Sequence, residues 1–229
     1  NAAQLCNQLS APLRRTRKLA KLRLMDLPKA KAIAATQQWV DALKPTDPAL
    51  EAKLFEAIGV FESHEVVNRP LLERLLAAKD YRARAYARRV VGRWHDRLKN
   101  PLTLLHSSAT DERLRVRLET IVAASDVRGA ESITIAAMAA DGSTDRFITF
   151  AFKNAVHALA NEWKPALLAG KLKFAKPAHL VSVVREGGGN EVAGVVRQQL
   201  AEPALSAERK LVLAELLAHI GNSADAAQA

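Results

Sequence analysis

Residues 84–91, RAYARRVV, decide the fold, because their pattern returns along the chain at a nearly fixed interval. Thirty-three residues later RLETIVAA occupies 117–124; thirty-three earlier EAKLFEAI occupies 51–58; thirty-five beyond Arg117, FKNAVHAL occupies 152–159. The third, sixth and seventh residues after each lead are small or apolar: Leu54, Ala57 and Ile58; Ala87, Val90 and Val91; Thr120 (half-polar), Ala123 and Ala124; Ala155, Ala158 and Leu159. Such spacing lays one face of a helix against a neighbour. A period near 33 residues accommodates two helices and two turns, each pair burying its face only by stacking on the next.

Shorter apolar segments lie between these helices and carry start signals of their own. Pro70, Pro101 and Pro165 open PLLERLLAAK, PLTLLHSS and PALLAG at positions where a first turn tolerates a missing N–H, and Asn100 is placed to cap the second. The composition agrees: 49% of residues are hydrophobic but only 5% aromatic, and Gly (10) and Pro (9) are sparse. Ala, Leu and Val dominate, which suits helices packed close together. The expected fold is all-α, an α-solenoid of HEAT-like antiparallel helix pairs running over residues 1–221. Within it, 1–46 form an N-terminal helix pair, 47–170 the regular repeats and 171–221 irregular C-terminal helices, with Ser206 capping and Gly221 ending the last of these and 222–229 a tail or linker. Residues 8–44 read as two helices, with Leu13, Leu19, Leu22 and Leu24 in the first.

The sharpest local motif is DERLRVR, residues 111–117, with Asp111 six residues before Arg117 and Val116 between them. It resembles the HEAT-repeat motif, which implies that Asp111 and Arg117 belong to a structural hydrogen-bond ladder between layers. The other copies depart from it, with Glu51 and Phe152 where the arginine is expected. Over about residues 50–185 the order of segments resembles the HEAT-like portion of large secreted bacterial proteins that combine a sugar-dehydrogenase-like β-propeller with a c-type haem domain. That resemblance implies a periplasmic or extracellular setting and a spacer role beside the other domains of a parent chain. No haem-ligating residue carries over, since Cys6 is the single cysteine and no C-x-x-C-H is present.

The net charge of +10 is local. Residues 1–32 hold eight Lys/Arg against Asp26 alone, and residues 81–99 hold seven against Asp96. On a helical wheel Arg84 and Arg88 lie on one side of the apolar stripe, and Arg82, Arg89 and Arg93 on the other. These five are the candidate partner-binding surface, for a protein or for phosphate. Trp94 falls about 20° from Ala83 and completes the inward stripe.

Nothing in the sequence assembles a reaction centre. The six His are not spaced i,i+3 or i,i+4, so no metal site is expected, and REGGGNE lacks the strand and spacing of a phosphate loop. No cofactor is expected, and no stretch reaches the roughly 18 apolar residues of a membrane span. The leading reading is a non-catalytic scaffold or protein-interaction module. The alternative is nucleic-acid binding through the two basic helices. A glycosylase-like version of that alternative needs a buried carboxylate beside an aromatic ring, for which Asp96 beside Trp94 is the candidate.

Overall fold

A computed structural model describes residues 1–201 and 206–220 of the chain. These form fourteen α-helices and one 3-10 turn, and no strand. The contacts divide the chain into two compact units, 1–99 and 100–229, where the sequence reading treats 1–221 as one array. Gly221 and residues 222–229, read from sequence as a helix end and a tail, lie outside the described residues.

The first unit holds α1 (Ala2–Gln8), α2 (Arg14–Met25), α3 (Lys29–Asp41), α4 (Leu50–Ser63), α5 (Arg69–Leu76) and α6 (Tyr81–Arg93). Over residues 8–44 the two helices that the sequence suggests are α2 and α3, and α1 precedes them. A capping box between Asn1 and Gln4 starts α1, and Pro12 interrupts the path before α2. Asn68 accepts from Leu71 N to cap α5, and Asp80 accepts from Arg82 N to cap α6. Helix α4 packs between α2 and α6, with α3 and α5 against it and α1 against α2 and α3. Cys6, Leu9, Ala20, Leu24 and Val60 form one buried cluster, closed by Leu27 and Trp39.

The second unit holds α7 (Pro101–His106), α8 (Leu114–Asp126), α9 (Ser132–Ala140), α10 (Arg146–Ala158), α11 (Ala160–Leu168), α12 (Pro177–Gly187), the 3-10 turn Asn190–Val192, α13 (Ala193–Leu200) and α14 (Ala207–Ile220). Helices α8, α9 and α10 pack on one another, α12 packs on α9 and α10, and α14 on α12 and α13. The glycine break falls where expected, after α12. A Cβ on Gly187 would collide with the Val156 side chain, so the end of α12 reaches α10 only through glycine.

The repeat governs burial. The third position (Leu54, Ala87, Thr120, Ala155) and the seventh (Ile58, Val91, Ala124, Leu159) are buried in all four copies, and Trp94 is fully buried. Three details differ. Ala158 is exposed while Ala57, Val90 and Ala123 are buried, because α10 ends there and bends directly into α11. The bend runs through Leu159, whose N–H bonds Ala155 O and whose carbonyl accepts from Trp163 N. Pro165 consequently lies inside α11, not in its first turn. Asn100 makes no side-chain cap; it takes a left-handed backbone (φ 54°), which turns the chain ahead of Pro101.

Replacing Trp94 with alanine opens a large cavity in the fully buried seam of α6, and it is expected to cost about 3–5 kcal/mol. Urea unfolding followed by circular dichroism measures this loss.

Candidate functional site

In the first unit α2 and α6 flank α4, so the two basic segments of the sequence border the same central helix. Helix α4 answers with two carboxylates, Glu56 and Glu62, each only 8% exposed. Arg17 Nε donates to Glu56 Oε1 at 2.9 Å, and Lys21 Nζ lies 2.6 Å from Oε2. On the other side, Tyr86 OH and Arg93 Nη1 both donate to Glu62. The Phe55 and Tyr86 rings meet at 4.6 Å, and burial pushes the Tyr86 phenol up, with Arg89 opposing and Glu56 adding to the shift. At the N-terminal ends of α2, α4 and α6 a cavity of about 460 Å³ is lined by Ala11, Arg17, Ala52, Phe55, Glu56 and Arg82.

The five arginines singled out in the sequence do not share one environment. Arg88 is only 3% exposed and donates to Leu76 O at 3.4 Å, which corrects its placement on an open face. The arginine-rich helix is covered on more of its circumference than its own stripe implies, since α5 packs on it as well as α4. Arg84 is half-buried and donates to Ala78 O and Lys79 O, both at 2.9 Å. Arg89 is half-buried beside Tyr86. Arg82 is exposed and chelates Asp80, and Arg93 is exposed along its length while its tip holds Glu62.

The lead residues of the repeat tie helices to turns. Glu51 accepts from Lys79 N and Asp80 N at 2.7 and 2.8 Å, holding the turn that opens α6. Arg117, 6% exposed, donates to Asp141 O and Ser143 O in the turn that opens α10. Arg17 does the same for the turn before its own helix, donating to Ala11 O and Pro12 O. Asp111 accepts from Arg113 N at 2.9 Å. The acid at position 51 and the arginines at 84 and 117 thus do related work with opposite hydrogen-bonding polarity: the carboxylate takes N–H groups and the guanidinium takes carbonyls.

Trp94 is fully buried and Asp96 is exposed, its carboxylate 3.3 Å from Arg97 Nε, so Asp96 is not a buried carboxylate beside an aromatic ring. Among the described residues, Glu62 is a buried carboxylate beside an aromatic ring, that of Tyr86. These residues are 24 apart on different helices, and nothing local in the sequence joins them. Among the described residues no group of three or more His, Cys, Asp or Glu is arranged to hold a metal, and no helix is long and apolar enough to cross a membrane. The Cys6 thiol is buried against Thr36, and burial raises its pKa.

Charge divides as the contacts do. Residues 1–99 contain 20 of the 34 Lys/Arg and 10 of the 24 Asp/Glu, so the whole excess of +10 lies in the first unit and the second is neutral. No family model, no curated protein and no solved structure matches the chain.

One ion cluster of the second unit has a readable pH signature. Lys176 Nζ, 2.6 Å away, and His179 Nε2, 3.2 Å away, lower the Asp141 carboxyl from 3.8 to about 2. A carboxyl depressed in the folded state stabilises above its unfolded value, and that stability is lost as pH falls from 3.8 toward 2. The side chain is 37% exposed, so solvent screening reduces the contribution to about 1 kcal/mol. Asp141→Asn is expected to lower stability at neutral pH by about that amount and to flatten the acid limb of a urea-melt series.

Proposed function

We propose that the chain is a non-catalytic scaffold or protein-interaction module, a HEAT-like α-solenoid that positions other domains of a parent protein or a separate protein partner. The observation that carries this reading is the repeated use of lead side chains to fix turns. Glu51 and Arg117 each lock the entry of the next long helix, an arrangement that propagates a stack of helix pairs. The ion pairs support it too: Arg17 and Lys21 hold the buried Glu56, and Arg93 holds the buried Glu62, across neighbouring helices, a bracing role. The resemblance to the segment between a dehydrogenase-like propeller and a haem domain suggests the context, a spacer in a periplasmic or extracellular protein.

A second reading, binding of nucleic acid, draws on the concentration of the entire net charge in the first unit. It requires affinity that falls steeply with salt. Fluorescence anisotropy with a short duplex at about 50 mM salt, where phosphate contacts are strong, tests it directly.

For the scaffold reading, cross-linking mass spectrometry on the protein as its host makes it is the deciding experiment. Exposed Lys44, Lys79, Lys153 and Lys171 are expected to link to segments outside residues 1–229 or to a partner protein. Links confined to residues 1–229 refute it.

A further inference from the structure

The side of α2 turned away from the core combines apolar and cationic groups. Ala20 (1% exposed) and Leu24 (0%) hold the helix to the first unit, while Leu13 (69%), Leu19 (50%), Leu22 (42%) and Met25 (45%) face outward. They are four of the ten strongly exposed large apolar side chains among the described residues, gathered within thirteen residues. Between them stand Arg14, Arg15, Lys18 and Arg23, all exposed, and Lys29 and Lys31 follow at the start of α3. Among the described residues none of these six cations makes an ion pair or a side-chain hydrogen bond, in contrast to the arginines of α6. Asp26 is the single acid in the stretch.

We propose that this face of α2 docks on an anionic lipid bilayer, lying in the headgroup plane. Leu19, Leu22 and Met25 reach toward the acyl boundary, and Arg14, Arg15, Lys18 and Arg23 meet lipid phosphates with their stems along the apolar surface. The helix has 12 residues, about 18 Å of length, which suits lying on a bilayer and is far short of spanning one. Charge complementarity sets the sign of the lipid, and the aliphatic side chains distinguish a membrane from other polyanions. A nucleic-acid duplex offers phosphates but no apolar layer for Leu19, Leu22 and Met25, and a single strand rewards aromatic stacking, whereas the first aromatic residue of the chain is Trp39. This inference goes beyond the scaffold reading and does not depend on it.

Cosedimentation of the full chain with phosphatidylcholine vesicles, with and without about 30 mol% phosphatidylglycerol, provides the test. Binding is expected to the anionic vesicles alone. Arg15→Gln, Lys18→Gln and Arg23→Gln are expected to weaken it about fivefold per charge removed. The triple variant Leu19→Ser, Leu22→Ser, Met25→Ser is expected to weaken it about tenfold or more, with unchanged circular dichroism because all three side chains are exposed. Absence of binding overturns the proposal. So does binding that the apolar triple variant leaves intact, or equal binding to a short DNA duplex at the same ionic strength; either assigns the face to polyanions in general.

Discussion

The packing of this structure depends on burying small or apolar side chains at two positions of a recurring helix. Isolated helices of 6–14 residues are marginal in water, so none of the fourteen is stable without its neighbours. Ala87 and Val91, with their counterparts Leu54 and Ile58, Thr120 and Ala124, are all buried between helices. Once that seam is packed, the lead residue of each helix is held near a turn, where Glu51 finds backbone N–H groups and Arg117 finds carbonyls. The polar ties therefore follow from the apolar seam. Thr120 shows how completely the position is internal: its hydroxyl, buried, bonds Val116 O and Ser108 Oγ.

The period and the inward face were legible because both arise from local spacing, which a sequence displays directly. What was hidden depends on neighbours. Arg88 is on the flank of its own stripe, yet α5 covers it; the extra coverage is a property of packing and leaves no mark in residues 80–99. The pairing of Glu62 with Tyr86 and Arg93 joins separate helices, and a glutamate on a helix face reads as solvated until its partners are known. Helix α9 had no visible start, since Glu131 provides no side-chain cap and the segment is apolar nearly all round. Pro165 misled because a proline is a strong start signal only when no upstream turn already carries the helix, and Leu159 does so here.

The two basic segments, similar in composition, have different physical fates. The arginines of α6 are tied to Asp80, to backbone carbonyls, or to Glu62, so their charge is largely answered within the fold. On α2 only Arg17 and Lys21 turn inward, to Glu56. The remaining cations of α2 stand in water beside exposed leucines, and the surface available to a partner is richer on the first basic segment than on the arginine-dense one that draws the eye.

The division of charge between the units also has a consequence at a distance. With a net +10 on residues 1–99 and a net charge of zero on 100–229, the net pull of an external field acts on the first unit. At about 0.01 M salt that pull is felt over roughly 30 Å, before any side chain touches anything, and at physiological salt its reach shrinks to about 8 Å. Near an anionic surface the first unit is thereby the part that is drawn in, and the ionic strength of its surroundings sets how early that attraction begins.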